Sequence, residues 1–279
     1  MSSLCLIADS GSTKTDWVLL SPNAAPLAFQ SQGINPMHQE RADILRLFGH
    51  EVLPHLPLDA SLSEIHFYGA GCAGQGKQML QDCLHSLFPH VAVIEVDTDL
   101  VGAAKALFAE AEGVACILGT GSNSGLWDGT RLTANISPLG YILGDEGSGA
   151  TLGRRLVGDV FKQQLPEALC QAFVSETGLT PAEVVQRVYR EPLANRFLAS
   201  LTPFLYAHRS EPSIHALLLE EFSRFFRRNV CLYGRPDLPV SFVGSIAWFF
   251  AAEVKEAASE AGYEVGRILR RPIEAIIHG

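Results

Sequence analysis

Two short apolar runs, each broken by a turn of glycine, serine and threonine, recur 110 residues apart, and this repeat restricts the fold more than any other feature of the chain. Residues 7–17 laid over residues 117–127 match Ile7 with Ile117, Gly11 with Gly121, Ser12 with Ser122 and Trp17 with Trp127. The first copy reads Leu4–Ala8, then Asp9-Ser10-Gly11-Ser12-Thr13-Lys14-Thr15, then Trp17–Leu20. The second reads Val114–Leu118, then Gly119-Thr120-Gly121-Ser122-Asn123, then Gly125–Trp127. Apolar run, polar turn, apolar run is a β-hairpin pattern. One such unit near the start of each half implies two related α/β domains, with a ligand held between the facing turns. The division falls at residues 1–110 and 111–279, with a largely helical stretch at about 150–235 in the second domain.

Between the hairpins the pattern alternates. Ile65–Tyr68 and Val91–Val96 read as buried strands, with Met79, Leu80, Cys83, Leu84 and Leu87 marking a helix between them. Asp99 precedes the apolar face of Val101, Ala104 and Leu107 and suits a helix N-cap. Thr180-Pro181-Ala182-Glu183 has the form of a capping box with proline at the first helical position. Val240–Val243 returns to strand, and a helix is expected over Ile246–Ala258.

Composition removes several function classes. With 47% hydrophobic and 18% charged residues the chain is neither disordered nor a coiled coil. A net charge of −9 speaks against general nucleic-acid binding, although backbone amides at turns can still hold an anion. The six cysteines include no CxxC pair, which argues against a zinc ribbon, a dithiol centre or a disulfide scaffold. No signal peptide and no apolar run of ~18 residues is visible, so a cytoplasmic protein without a membrane partner is expected.

Five segments carry chemistry. Asp9 to Thr15 combines amides and hydroxyls that can meet phosphate oxygens with a strand-end carboxylate able to hold Mg²⁺ through water. Gly119 to Asn123 repeats the donor-rich composition, and neither turn is a Walker A loop. Gly69-Ala70-Gly71-Cys72-Ala73-Gly74 fits GxGxxG, and Glu95 lies 21 residues beyond Gly74. Alone, that spacing suggests a nicotinamide-dependent oxidoreductase; a glycine-rich turn close to a small substrate is the preferred reading, because the Rossmann reading leaves both Gly/Ser/Thr turns unexplained. Asp97-Thr98-Asp99 offers a carboxylate that could orient a hydroxyl and accept its proton, Asp99 first and Asp97 second. Gly140 to Gly149 encloses Asp145 and Glu146, which could hydrogen-bond vicinal sugar hydroxyls or simply cap a helix.

Ala8–Thr15, Gly119–Asn123, Leu143–Gly149 and Val243–Ala247 occur in the order found in N-acetylglucosamine kinases. The chain therefore resembles the BadF/BadG/BcrA/BcrD branch of the actin-like ATPase superfamily over residues 6 to about 250. The resemblance implies two RNase-H-like domains with a nucleotide cleft between them, the last residues packing back on the first domain. It implies ATP and Mg²⁺, with Asp9, Gly11, Ser12, Thr13, Lys14 and Thr15 as the first phosphate motif and Asp9 on the metal side through water. Gly119, Thr120, Gly121 and Ser122 match the second phosphate motif, and Gly244 and Ser245 the adenosine motif. Asp99 matches the catalytic aspartate, and Asn35, Gly71, Cys72 and Asp145 match groups that touch the sugar.

The implied partners are a small sugar and ATP; a homodimer is also compatible with the family, though the sequence shows no interface. Where many relatives carry Gly-Gly-Trp-Gly, this chain has Ser137-Pro138-Leu139-Gly140. The activity expected is phosphorylation of N-acetylglucosamine at its 6-hydroxyl, with glucosamine or N-acetylmuramate as alternative acceptors. An ATPase that activates a partner enzyme is the alternative from another class; the absence of a clustered cysteine pair counts against it.

Overall fold

A computed structural model describes residues 4–11, 14–57, 62–273 and 275. Ser12 and Thr13, two of the expected phosphate-binding residues, lie outside the described residues. The chain divides into two units, one running to Ala109 and resumed at Arg271, the other from Glu110 to Arg270.

In the first unit β1 (Leu4–Ser10), β2 (Lys14–Ser21), β3 (Ala24–Gln32), β4 (Leu62–Gly69) and β5 (Val93–Thr98) form one sheet in the order β3-β2-β1-β4-β5. The first three strands are antiparallel, and β4 and β5 join parallel to β1. Central β1 buries Leu6, Ile7 and Ala8 in succession, as a strand covered on both faces must. Edge strand β3 is mostly exposed and tolerates Pro26, whose missing N–H costs no ladder bond at an edge. One face carries the core: Leu6, Ala8, Trp17, Ile65, Phe67 and Val96 meet Ile44, Phe48, Leu80 and Leu84. The last four come from helix α1 (Arg41–Leu47), the turn of π-helix that follows it, and helix α2 (Gly74–Leu87). Trp17 stands edge-on to Phe48 and Phe67, and its indole N–H donates to Ser31 Oγ at 2.9 Å, so its one polar group is satisfied in the interior. Helix α3 (Asp99–Phe108) buries Leu100, Ala103, Ala104 and Leu107.

The second unit repeats that topology. Strands β6 (Gly113–Leu118), β7 (Ser122–Trp127), β8 (Leu132–Ile136), β9 (Val240–Val243) and β10 (Val265–Leu269) run in the order β10-β9-β6-β7-β8, the same antiparallel triplet followed by two parallel strands. The long β8–β9 connection holds α4 (Gly140–Leu143), α5 (Gly149–Phe161), α6 (Glu167–Thr177), α7 (Pro181–Tyr189), α8 (Ala194–Ala199), α9 (Thr202–Ala207) and α10 (Pro212–Arg228). Then come α11 (Ser245–Phe249) and α12 (Ala251–Glu260). Leu152, Leu156, Phe173, Leu218, Phe222 and Phe225 pack with Val114, Cys116 and Phe242 in one core, so the helical stretch belongs to this sheet's own interior. Thr180 and Glu183 form a reciprocal capping box at α7.

The repeat holds in topology and shifts in register. The first hairpin ends on the pair Ser10–Thr15 and the second on Leu118–Ser122, so Trp17 faces Ala8 whereas Trp127 faces Gly113. Two local expectations change, and one strand appears that the sequence did not announce. Thr98, not Asp99, caps α3, its side chain accepting the Val101 amide. The helix expected over 246–258 breaks at Phe250, which turns that ring into the core while Trp248 and Phe249 stay exposed; three adjacent large side chains cannot share one helix face. Strand β10 had no sequence signal, because Gly266 and Arg267 interrupt its apolar pattern. Among the described residues no helix is long and apolar enough to cross a membrane.

Candidate functional site

The first unit assembles its candidate residues at the carboxyl ends of β1, β4 and β5. The register places Asp9 opposite Asp16 on β2 and beside Tyr68 on β4. Gly11 N–H donates to Lys14 O at 3.0 Å across the turn. Thr15 is fully buried; its hydroxyl bonds with Ser10 Oγ at 2.8 Å and donates to Gln32 O, so this side chain braces the hairpin from inside. Ser10 Oγ also clamps Ile34, bonding both its amide and its carbonyl, and so carries the chain into Asn35. Lys14 is exposed and pairs with Asp16 at 3.0 Å.

Burial, aided by the negative charges of Asp99 and Asp16 and opposed in part by Lys14 and Arg271, raises the Asp9 carboxyl to about 7. Asp99 is the first residue of α3, where helix amides favour a negative charge. Its Oδ1 accepts the Leu100 amide at 2.9 Å, yet burial still lifts its pKa above the ordinary carboxylate value. Asp9 is a hard oxygen donor of the kind Mg²⁺ prefers, and a divalent cation would relieve the repulsion it feels from Asp99; Asp16 Oδ1 is already held by Lys14 at 3.0 Å and Gln30 at 2.6 Å. Asp97 is engaged elsewhere: Oδ2 takes Lys77 Nζ at 3.0 Å and Oδ1 the Thr98 amide.

The glycine-rich turn after β4 links two of the expected groups. Gly71 has φ +78°, and a side chain there would collide with Asn35 Oδ1. Asn35 Oδ1 in turn accepts the Met37 amide, and Gln39 Oε1 accepts the Asn35 amide. Cys72 is buried, and its thiol is pushed up to about 12 by burial and by the charges of Asp99 and Asp97. It is no nucleophile. Glu95, the candidate ribose acid of the oxidoreductase reading, is taken up by His66 at 2.8 Å and Lys105 at 2.5 Å.

In the second unit the turn Gly119–Gly121 and the Gly140–Gly149 segment meet. Gly149 and Ala150 amides at the start of α5 donate to the carbonyls of Gly119 and Thr120, at 2.8 and 3.1 Å. A Cβ on Gly121 would lie 3.1 Å from Asp145 Oδ2, and the Asp145 carboxylate accepts the amides of Ser122 and Gly140. Asp145 itself has φ +52°, with its N–H bonded to Pro138 O at 2.8 Å. Burial raises its carboxyl to about 6, with Glu146 adding to the shift and the two amides opposing it. Glu146 points away: it is buried, with Arg228 Nε on Oε1 and Asn229 Nδ2 at 3.5 Å from Oε2. Gly244 (φ +120°) admits no side chain because Leu118 O occupies the Cβ position, and exposed Ser245 opens α11.

Sequence reasoning missed Asp16, although pairing the two arms of the hairpin would have set it opposite Asp9. It also missed Arg228, which lies 82 residues from Glu146 and carries no local signal.

No family model and no curated protein matches the chain. A solved structure from Porphyromonas gingivalis, described as a "putative N-acetylglucosamine kinase", shares 47% identity over 98% of this chain and 97% of that one, with a TM-score of 0.93. A protein from Chromobacterium violaceum with the same description shares 20% identity over 99% and 98%, TM-score 0.75. The ROK hexokinase of Thermus thermophilus shares 13% over 97% and 93%, TM-score 0.53. The last two bear on the fold alone.

Proposed function

This chain belongs to the N-acetylglucosamine kinase family of the actin-like ATPase superfamily, and on that footing we propose that it transfers the γ-phosphoryl group of ATP to an amino sugar, N-acetylglucosamine foremost, at the 6-hydroxyl. It is a sugar kinase. The observation that carries the finer reading is the Gly71-Cys72 turn, which touches Asn35 on one side and feels the charge of Asp99 on the other. A sugar seated on that turn has the Asn35 amide side chain on one side and the Asp99 carboxylate on the other.

Asp99, as carboxylate, orients the acceptor hydroxyl and takes its proton while the oxygen forms its bond to the γ-phosphorus and the bond to ADP breaks. Its raised pKa makes it a stronger base than an ordinary aspartate. In this reading the phosphate-binding groups are Gly11 and Lys14 in the first unit and Gly119, Thr120, Gly121 and Ser122 in the second, and Gly244 with Ser245 serves the adenosine. Thr15 acts from beneath, holding the first turn in shape. A Mg²⁺ ion held by Asp9 through water supplies charge neutralisation for the phosphates when bound. Asp145 binds sugar hydroxyls. Beside it Leu139, Ile142 and Leu143 are 60%, 69% and 70% exposed, an apolar surface suited to an N-acyl group.

The test is ADP release from Mg-ATP with N-acetylglucosamine, glucosamine, N-acetylmuramate, N-acetylmannosamine and glucose, against a sugar-free control. Strong stimulation by N-acetylglucosamine is expected. Stimulation by another sugar alone would reassign the acceptor, and none by any would remove the amino-sugar reading.

A further inference from the structure

Three adjacent strands of the first unit bring a second set of ligand groups together, distinct from Asp9 and Asp99. Cys5 on β1 pairs with Glu64 on β4, and His66, two residues further along β4, pairs with Glu95 on β5. These side chains share one face of the sheet, because residues two apart point the same way. A register shift creates the alignment: Leu4 faces Leu62 but Cys5 faces Glu64. The extra residue, Ser63, donates its hydroxyl to Leu4 O at 3.1 Å. Bulges of this kind re-aim side chains, and here Glu64 is brought level with Cys5.

The Sγ of Cys5, a ring nitrogen of His66 and a carboxylate oxygen of Glu64 all lie within 4.8 Å of one another. Glu64 Oε2 is 3.0 Å from His66 Nε2. The other ring nitrogen, Nδ1, is 2.8 Å from Glu95 Oε2. Glu95 is itself anchored, by Lys105 Nζ at 2.5 Å and Tyr68 Oη at 3.3 Å. This is the outer support that metal-binding histidines use: a carboxylate accepts the Nδ1 N–H, fixes the ring and turns Nε2 toward Glu64, the co-ligand. His66 retains 22% side-chain exposure and Glu64 47%, so an ion can enter from solvent.

We propose that Cys5, Glu64 and His66 bind a Zn²⁺-type ion, with Glu95 as the positioning carboxylate behind His66. One sulfur, one imidazole nitrogen and one carboxylate oxygen suit a borderline-soft, four-coordinate metal; hard Mg²⁺ and Ca²⁺ prefer all-oxygen sets. Three protein ligands leave the fourth position to water. Binding displaces the proton between His66 Nε2 and Glu64 Oε2 and the Cys5 thiol proton, and both go to solvent. The ion ties β1 to β4, the two strands whose far ends carry Asp9 and the Gly69–Gly74 turn.

The test uses the full chain, metal-stripped, titrated with zinc chloride by calorimetry, and separately with Co²⁺ by absorbance. One Zn²⁺ per chain and a thiolate-to-cobalt charge-transfer band are expected. Cys5→Ser should abolish the band, His66→Gln should abolish Zn²⁺ binding, and Glu95→Gln should weaken it ~10–100-fold with the band retained. Circular dichroism and sugar-stimulated ADP release, which none of these residues serves, report that each variant is folded. Absence of Zn²⁺ binding in the wild type, leaving an ion-pair network only, would overturn the proposal. Binding and band undiminished in Cys5→Ser would do the same, by assigning them to another cysteine.

Discussion

Asn35 Oδ1 rests against the α-carbon of Gly71, in the space that any side chain at that position would need. Two residues far apart in sequence thus form one surface, and the positive φ of Gly71 (+78°) lets the turn come that close. Gly71→Ala introduces both backbone strain and a collision with Asn35. We expect a loss of about 1–3 kcal/mol in stability and a rise in sugar KM that exceeds the change in ATP KM. Thermal unfolding and steady-state kinetics check it; an unchanged sugar KM would detach Asn35 from the acceptor.

Asp99→Asn keeps an oxygen for the Leu100 amide, so the start of α3 should remain intact. Turnover should fall by ~10²–10⁴-fold, the usual contribution of a positioned base, with sugar and ATP binding little altered. Near-wild-type kcat in a folded variant would move the base elsewhere. Because burial raises the Asp99 pKa, the acidic limb of the wild-type kcat profile should lie above the ordinary aspartate range.

Asp145 links pH to stability. Its carboxyl is raised from 3.8 to about 6 in the folded chain. The protonated form is therefore the one that folding favours, so its contribution is fully present below pH 3.8 and is lost as pH rises through about 6. Asp145→Asn should flatten that part of the Tm-against-pH curve while weakening sugar binding, since asparagine also accepts the positive φ of this position. A Tm profile identical to wild type between pH 4 and 6 would contradict the shift.

Glu146 is buried and depends on Arg228 and Asn229 at the end of α10. Arg228→Ala should cost about 1–3 kcal/mol, the penalty for leaving a buried acceptor under-satisfied. Glu146→Gln in the same chain should recover part of that loss. Chemical denaturation of the four members of this cycle measures the coupling, and strict additivity would mean that the pair does no work in the fold.

Cys72 should be unreactive. Its thiol is buried and pushed up to about 12, so thiolate is scarce at neutral pH. Iodoacetamide followed by peptide mass spectrometry should modify Cys72 only after unfolding. Rapid native labelling at Cys72 would show that the Gly69–Gly74 turn opens readily.

Much of the candidate site was legible because its determinants are local. A strand end runs into a glycine-bearing turn within a few residues at Asp9 and at Gly119, and a glycine-bearing turn runs into a helix start at Asp145, and each such string restricts its own backbone. The same locality misled at Thr15, which reads as a phosphate donor but spends its hydroxyl on Ser10 and Gln32. At Gly69–Gly74 it offers a rival, since GxGxxG and Glu95 imitate a dinucleotide fingerprint; the substrate-turn reading is preferred there, and Glu95 is held by His66 and Lys105.

By itself the amino-acid order determined the two hairpins, the alternation of strand and helix, and the conformations of the turns, since hydrophobic period and glycine or proline placement act over a handful of residues. Only the tertiary structure decided which carboxylates face one another. Asp99 comes to bear on Asp9 from a separate strand end, Arg228 meets Glu146 across 82 residues, and Cys5 meets Glu64 through one shifted register. Charges interact through space and scale with distance, and sequence separation carries no information about that distance until the sheets have formed.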